Sequence, residues 1–239
     1  MPREIRAYRA TLARVTEWTR TRRSLFLRLP AGTRMPHLPG QFVSCLVPVP
    51  GAAPLSRAYS LASSPEDALL ELALDLVPGG PGSRHLFGLA PGDTVNVRGP
   101  FGSFVLDEPP AGELVFVGDG SGIAPIRPMV RRALERGGTQ PIRVLQGAAS
   151  ELDLLYGDEL AAWAAAHARL AWEAVLHAPA SEGAGPSRLE ALVVERFVVD
   201  NADRERHFWI CGVGEQVRRM REALRGAGYE RRTIHCEQW

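Results

Sequence analysis

The stretch Gly118-Asp119-Gly120-Ser121-Gly122-Ile123-Ala124-Pro125 decides the fold of the second half of the chain. A buried strand is predicted just before it, over Glu113–Val117, and a helix at its end, over Ile123–Arg136. Glycines at such a turn let a ligand approach the backbone, and a helix N-terminus offers unpaired N–H groups to a phosphate. Pro125 suits a first helical turn, where its missing N–H removes no hydrogen bond. The turn therefore predicts either a pyrophosphate site or a tight turn without a ligand.

The alternation of strand and helix continues through the rest of this half of the chain. Such an alternation predicts a parallel β-sheet with helices on both faces. Further strands are predicted over Pro141–Leu145, Leu170–Val175, His207–Cys211 and Arg232–Cys236, and further helices over Asp158–Ala168, Ser187–Val194 and Gly214–Gly226. The stretch from Asp107 to Gly112 has the composition of a linker, so we expect one domain over 1–107 and a second over 113–239.

The first domain consists of short strands separated by Gly and Pro turns such as Pro39-Gly40 and Pro91-Gly92-Asp93. This pattern predicts a small, antiparallel, six-stranded β-barrel. One short helix is expected inside it, over Ser83–Leu89. The predicted strands are Arg6–Thr16, Ser24–Leu29, Gln41–Val47, Ala58–Leu61, Leu69–Leu76 and Thr94–Val97.

The overall charge excludes some classes of protein. The 239 residues carry 28 Lys+Arg against 27 Asp+Glu, a net charge of +1, whereas a nucleic-acid binder normally carries a basic excess. No apolar run approaches the roughly 18 residues of a membrane span. The charged start of the chain lacks the apolar core of a signal peptide. We therefore expect a cytoplasmic protein with no nucleic-acid partner and no membrane span.

Cysteine and lysine usage excludes further chemistry. Cys45, Cys211 and Cys236 lie far apart in the sequence, whereas a zinc site or an iron–sulfur cluster generally needs about four closely spaced ligands. We therefore expect no metal. The sparse, odd cysteine count suggests a reducing compartment. The chain contains no lysine, which excludes Schiff-base catalysis.

Two short motifs of the first domain suggest a phosphate and a planar ring. Arg57-Ala58-Tyr59-Ser60 is predicted on a strand, and Gly80-Pro81-Gly82-Ser83 opens the short helix. Arginine can grip a phosphate with its guanidinium fork, and a helix start offers N–H groups to the same anion. Tyrosine can stack on a ring and serine can hydrogen-bond its edge. The alternative is a plain strand with a surface arginine and a half-buried tyrosine.

The order of these motifs along the chain resembles the ferredoxin–NADP reductase family, and the resemblance covers nearly the whole chain. The motifs that carry it, in order, are Arg57-Ala58-Tyr59-Ser60, Gly80-Pro81-Gly82-Ser83, Gly99-Pro100-Phe101-Gly102-Ser103-Phe104, the glycine-rich turn, and Trp209-Ile210-Cys211-Gly212. The third of them resembles the family's turn at the end of the barrel. The resemblance implies a flavin-binding β-barrel followed by a Rossmann-like domain that binds NADPH or NADH.

The resemblance also assigns roles to residues of the barrel. The flavin is usually FAD and less often FMN. Arg57 would contact the flavin phosphate, Tyr59 the ribityl chain or the ring face, and Ser60 the region of flavin N5. Gly82 and Ser83 would hold the pyrophosphate at the helix start. The complete predicted flavin set in this domain is Arg57, Ala58, Tyr59, Ser60, Gly82 and Ser83.

In the second domain the resemblance implies a nucleotide site and part of the catalytic site. Cys211 and Gly212 would border the nicotinamide, and Glu237 would lie in the active site with Ser60 and Cys211 as the predicted catalytic group. Trp239 would stack on the flavin ring, the alternative being an ordinary core aromatic. The residues expected to bind the nucleotide phosphates are Gly120, Ser121, Gly122, Ile123, Ala124 and Pro125.

Departures from the family pattern leave the preference between NADPH and NADH open. NADPH-preferring members usually carry a Ser-Arg pair after the third strand, where this chain has Leu176-His177-Ala178-Pro179. Arg188 is a possible basic contact to the nucleotide, the alternative being a solvated helix start. Asp119 places an acid near the phosphates, where it either turns away or weakens binding. His177 is expected to be structural rather than an acid–base group.

The function implied is hydride transfer between NAD(P)H and FAD, with single electrons passing to or from a separate ferredoxin or flavodoxin. A monomer is expected. The alternatives are the reductase component of an oxygenase system, and a flavin- or nucleotide-binding regulatory subunit without turnover. Two arginine groups either dock an acidic partner or form a solvated face. They are Arg20, Arg22 and Arg23, and Arg218, Arg219, Arg221 and Arg225.

Overall fold

The computed structural model describes residues 4–49, 51–177, 185–199 and 203–238. The chain divides into two compact units. The first comprises Met1–Asp107 with Arg127–Arg132, and the second comprises Glu108–Ile126 with Ala133–Trp239.

The first unit is built on an antiparallel six-stranded sheet in the order β4-β3-β6-β1-β2-β5. Leu61, which follows β4, forms an antiparallel bridge with Leu72 of β5, so the sheet curls until its two edge strands meet. The strands are β1 (Arg6–Thr19), β2 (Arg22–Arg28), β3 (Phe42–Val49), β4 (Ala52–Ser60), β5 (Leu70–Asp75) and β6 (Thr94–Phe101).

The core of this unit lies on the inner face of the curled sheet. In β3 the side chains of Val43, Cys45 and Val47 are buried and alternate with partly exposed ones, as expected for a strand with one face in the core. Leu12 of β1 and Leu25 of β2 belong to the same core. Burying each side chain of this size stabilises the fold by about 1.5–3 kcal/mol, so the buried face of the sheet contributes substantially to its stability.

Most element boundaries in the first unit differ from the predicted ones by a few residues, and three of the differences have a clear physical reason. β4 begins at Ala52 rather than Ala58, because a hairpin pairs Val49 with Ala52 from its first residue. Helix α1 covers Pro81–Phe87 rather than Ser83–Leu89, since proline is well suited to a first helical position. Gly99-Pro100-Phe101, predicted as a turn, belongs to the end of β6, where Phe101 pairs with Phe42.

The second unit is a five-stranded parallel sheet in the order β11-β10-β7-β8-β9. The chain runs outward from β7 to β9, then returns to place β10 on the other side of β7. This reversal creates a crevice outside the carboxyl ends of β7 and β10, the usual ligand position in such sheets. The strands are β7 (Glu113–Asp119), β8 (Ile142–Ala148), β9 (Leu170–Leu176), β10 (Arg206–Gly212) and β11 (Ile234–Gln238), and the helices are α2 (Ile123–Glu135), α3 (Gly157–Ala166), α4 (Arg188–Val194) and α5 (Gly214–Gly226).

The predicted fold class is confirmed, a curled antiparallel sheet followed by a parallel α/β sheet. Helix α4 shows how local sequence sets an element. The Ser187 side chain accepts a hydrogen bond from the Glu190 N–H, and the Glu190 carboxylate accepts one from the Ser187 N–H. This reciprocal cap fixes the helix start. Beyond the predicted end at Val194, the helix widens into a π-helical turn over Glu195–Val199.

Two buried glutamines of the second unit differ in their hydrogen bonds. Gln146 of β8 is 0% exposed, donates to the Leu155 carbonyl at 2.9 Å, and accepts from the Trp172 indole at 3.1 Å. Gln216 of α5 is 1% exposed, and among the described residues neither its amide nitrogen nor its amide oxygen has a hydrogen-bond partner. An unpaired buried amide is destabilising because it loses its hydrogen bonds to water without replacement.

We expect the Gln216→Met variant to be more stable than the parent by about 1–3 kcal/mol, because it removes two unpaired polar atoms at nearly constant volume. Gln146→Met is the matched control. It should lower the free energy of unfolding, since it leaves the Trp172 indole and the Leu155 carbonyl without their partner. Denaturant unfolding of both variants tests this expectation, and a Gln216→Met variant less stable than the parent would contradict it.

Candidate functional site

Strand β4 presents the Arg-Ala-Tyr-Ser motif on its two faces. Side chains alternate along a strand, so Arg57 and Tyr59 share one face and Ala58 and Ser60 share the other. Tyr59 is half-buried and packs on the core of the first unit. Burial, and after it the neighbouring Cys45 thiol, raises the pKa of Tyr59 to about 12, against a smaller opposite effect of Arg57. The phenol is therefore neutral at physiological pH.

The start of α1 lies against the Arg57 side chain. A Cβ atom placed on Gly82 would lie 2.7 Å from Cγ of Arg57 and 3.3 Å from its Nε, so only glycine leaves room for the arginine here. Arg57 is exposed and donates to the Ser56 carbonyl at 2.8 Å. The structure thus brings together the two motifs of the first unit that the sequence places about 25 residues apart.

The Ser83 hydroxyl is engaged in a hydrogen bond within the turn that precedes α1. It accepts a hydrogen bond from the Val77 N–H at 3.0 Å. What the start of α1 offers to an anion is therefore the backbone N–H groups of its first turn, which have no intrahelical acceptor. This arrangement fits the phosphate groups of a flavin nucleotide. It combines the Arg57 guanidinium, the N–H groups of the first turn of α1, and the open space beside Gly82.

In the second unit the glycine-rich turn lies at the carboxyl end of β7. Gly120 has φ of 54°, which favours glycine, and Gly120–Gly122 form a 3-10 turn that leads into α2. A Cβ atom on Gly118 would lie 3.0 Å from the backbone of Ile123, so this glycine lets the helix start close against the strand.

Of the predicted phosphate-binding residues, some have side chains that are buried in the core, so only their backbone is available to a ligand. Ile123 and Ala124 are buried in the core, and Pro125 lies in the first turn of α2. Any contribution of Ile123, Ala124 and Pro125 to an anion site would therefore come from the position of their backbone, while Gly120, Ser121 and Gly122 form the loop itself. The structure places these predicted residues in one turn at the start of α2, and their phosphate binding stays a prediction.

Cys211, Gly212 and Glu237 lie beside this turn. Cys211 of β10 pairs in register with Gly118 on one side and with Glu237 of β11 on the other. Burial raises the pKa of the Cys211 thiol well above its usual range, and Glu237 adds to the effect. The arrangement is a neutral thiol next to a carboxylate at the crevice.

The predicted roles of two other residues, Arg188 and Trp239, stay predictions. Arg188 is the first residue of α4 and its side chain is exposed. Trp239 lies outside the described residues, so its predicted stacking stays a prediction.

The structure also shows a pair that the sequence did not predict. The His177 Nε2 atom lies 2.9 Å from Oδ1 of Asp119, and both side chains are largely buried. Sequence analysis assigned Asp119 and His177 separate, minor roles, because the two residues lie far apart in the chain.

Ion pairs with neighbouring carboxylates partly neutralise the positive charge of the two predicted arginine groups. Arg218 pairs with Glu215 and Glu222, and Arg219 pairs with Glu190 and Glu215. In the other group, Arg22 and Arg23 pair with Asp75 and Glu17, respectively. These contacts favour a solvated, internally paired face over an open cationic surface.

All three thiols should react slowly in the native protein. Burial raises the pKa of Cys45 to about 12 and that of Cys236 to about 11, and Cys211 shifts in the same direction. At pH 8.5 only about 0.3% of a thiol with a pKa of about 11 is ionised, against about half of a free cysteine. We expect alkylation at least 100-fold slower than in denaturant. Mass spectrometry of trapped cysteines measures it, and one native cysteine reacting at the denatured rate would contradict the prediction.

Comparisons with known proteins agree with this geometry. Residues 9–106 match the family described as "Oxidoreductase FAD-binding domain", and residues 116–222 match the "Oxidoreductase NAD-binding domain". The chain is 36% identical over 211 residues to ferredoxin--NADP reductase B of Sorangium cellulosum, covering 84% of each chain. It is 27% identical over 237 residues to the toluate 1,2-dioxygenase electron transfer component of Pseudomonas putida, covering 97% of this chain and 67% of the relative.

Solved structures give the same result. The Amycolatopsis cytochrome P450 reductase GcoB superposes with a TM-score of 0.85 and 32% identity, over 99% of this chain and 70% of that one. A ferredoxin NADP+ reductase from Neisseria gonorrhoeae, at 24% identity, shares the fold with a TM-score of 0.78 over 98% of both chains. The chain therefore belongs to the ferredoxin–NADP reductase family of flavoproteins.

Proposed function

We propose that this protein is an FAD-dependent reductase that transfers hydride between NAD(P)H and its flavin and exchanges single electrons with a ferredoxin or flavodoxin. The observation that carries the proposal is the Arg57 side chain lying against the backbone of Gly82 at the start of α1. The relatives named as ferredoxin reductases and oxygenase electron transfer components support it.

On the first unit, the proposed residues bind and orient. Bound FAD supplies the redox chemistry, because a flavin accepts two electrons as hydride and releases them one at a time. Arg57 and the first-turn N–H groups of Gly82 and Ser83 would neutralise and hold its phosphates. The neutral Tyr59 ring would cover a planar face without adding charge. Ser60 would donate a hydrogen bond at flavin N5.

On the second unit, the residues at the crevice would position the nucleotide. Backbone N–H groups over Gly120–Pro125 would hold its phosphates at the start of α2. The neutral Cys211 thiol would border the nicotinamide without repelling electron density. Glu237, next to Cys211 on β11, would hold or relay a proton destined for flavin N5.

The electron acceptor is proposed to be a separate protein. The chain has three cysteines, all of them free thiols, fewer than the about four ligands an iron–sulfur cluster needs. Free thiols also support a cytoplasmic location. A monomer remains the expected state. No helix in the described residues is long and apolar enough to cross a bilayer.

The second candidate function is the reductase component of an oxygenase system. Relatives named for toluate and naphthalene dioxygenase systems support it, at 27% and 30% identity. The chemistry at the flavin is the same, so the acceptor distinguishes the two. A regulatory subunit without turnover is the third.

Anaerobic absorbance titration of the purified protein with NADH and with NADPH tests the proposal. A yellow protein bleached by either nucleotide supports a reductase, and adding oxidised ferredoxin, flavodoxin or an oxygenase ferredoxin then identifies the acceptor class. A yellow protein bleached by neither would support the regulatory subunit. A protein that cannot be loaded with FAD or FMN would overturn the function.

We expect Gly82→Ala to weaken FAD binding by at least about tenfold, because the new methyl group displaces the Arg57 side chain. Gly88→Ala, at the other end of α1, is the control, since its Cβ would meet only ordinary contacts from 3.4 Å outward. Equilibrium dialysis of the apoprotein against FAD measures both. Equal affinities for the two variants would contradict the role of Arg57.

Ser60→Ala should slow flavin reduction by NAD(P)H by at least about tenfold, equivalent to about 1.4 kcal/mol of transition-state stabilisation. Ser56→Ala, on the same strand, removes a hydroxyl that bonds Ser44 and should leave the rate unchanged. Stopped-flow absorbance measures the rate. An unchanged rate in Ser60→Ala, with FAD retained, would remove Ser60 from the catalytic group.

A further inference from the structure

The Asp119–His177 pair crosses strand β8 at its carboxyl end. Asp119, the last residue of β7, is the register neighbour of Gly147, and His177 follows the end of β9. A Cβ atom on Gly147 would lie 2.5 Å from Oδ1 of Asp119 and 2.7 Å from Nε2 of His177. The two side chains therefore meet over the strand between them, in space that only glycine leaves open.

A second glycine faces Asp119 from the opposite side. A Cβ atom on Gly212 of β10 would lie 3.2 Å from Cβ of Asp119. The side-chain exposures are 11% for Asp119 and 6% for His177, so the carboxylate is held in a partly dehydrated place. A carboxylate with so little water needs a hydrogen-bond partner, and His177 supplies it. His177 is thus a positioning residue that fixes where the negative charge of Asp119 lies.

A carboxylate at the carboxyl end of the second strand has a known role in dinucleotide-binding sheets in general. The pyrophosphate lies at the helix start after the first strand, and an acidic group near the end of the next strand accepts a hydrogen bond from the adenosine ribose 2′-hydroxyl. A nearby arginine instead accommodates a 2′-phosphate. In this chain β8 ends with Gly147-Ala148, and Ala149 follows, so the strand itself provides neither group. The carboxylate above its end comes from Asp119 of the neighbouring strand.

We propose that Asp119, held in place by His177 over Gly147, makes the nucleotide site selective for NADH over NADPH. The inference rests on the proposed function and adds the choice of nucleotide to it. A ribose 2′-hydroxyl can donate to the carboxylate, whereas a 2′-phosphate brings two negative charges towards it. His177 Nε2 lies 2.9 Å from the same carboxylate, so its contribution is to hold that carboxylate in place over Gly147.

Two variants separate the charge from the architecture. Asp119→Asn keeps the shape and an oxygen that accepts from His177, but it removes the negative charge. His177→Gln keeps the carboxylate and offers an N–H donor of its own. Asp203 lies just before the amino end of β10, so Asp203→Asn is the matched control for the loss of one charge away from the carboxyl ends of the strands.

Binding of 5′-AMP and of 2′,5′-ADP, measured by calorimetry, reads the site without hydride transfer. We expect the parent protein to bind 5′-AMP at least tenfold more tightly than 2′,5′-ADP. Asp119→Asn should reduce this ratio at least tenfold, while His177→Gln and Asp203→Asn retain a preference for 5′-AMP. If Asp119→Asn and His177→Gln change the ratio equally, the pair is architectural and the proposal is overturned.

Steady-state kinetics of the FAD-loaded protein provide the second measurement. We expect kcat/KM to be at least tenfold higher for NADH than for NADPH, and Asp119→Asn to lower the KM for NADPH rather than change kcat. A parent that prefers NADPH would overturn the selectivity while leaving the reductase function intact. A flavin reduced by neither nucleotide, with 5′-AMP still bound selectively, would overturn the function and retain the selectivity.

Discussion

The pairing of β7 with β10 is the interaction on which the nucleotide half of the protein depends. These strands are separated by nearly 90 residues of sequence, yet they are adjacent in the sheet and their register sets Cys211 beside Gly118. β11 then adds Glu237 on the far side of Cys211. A shift of one residue in either pairing would point these side chains to opposite faces, because side chains alternate along a strand. Side chains buried on both faces of the sheet resist such a shift.

Glycine is the second constraint, and it acts in both units through close approach. Gly82 admits Arg57, Gly118 admits the start of α2, and Gly147 admits the Asp119–His177 pair. In each case a Cβ atom would lie within about 3 Å of the neighbouring group, which is the Arg57 side chain, the Ile123 backbone or the Asp119 carboxylate. The candidate functional groups are therefore positioned as much by the absence of a side chain at these glycines as by the side chains present.

The sequence predicted much of this arrangement because its signals are local. Strand-to-helix turns, Gly–Pro punctuation and the order of short motifs gave the fold class and grouped Gly120–Pro125 into one turn. The contacts that it missed join distant segments. Asp119 and His177 are 58 residues apart, so neither carries a local mark of the other. Gly147 was the available signal, since a glycine within a buried strand often marks a close approach.

The bridge between Leu61 and Leu72 has a consequence for how the protein behaves in a crowded solution. Exposed edge strands present unpaired N–H and C=O groups on which other chains can assemble, and natural sheets protect them. β4 and β5 are the two edges of the six-stranded sheet, and at this bridge each covers part of the other. A curled sheet that shields its own edges resists growth into intermolecular sheets. The fold that carries the candidate flavin-binding residues on its edge strand β4 thereby also limits self-association through that strand.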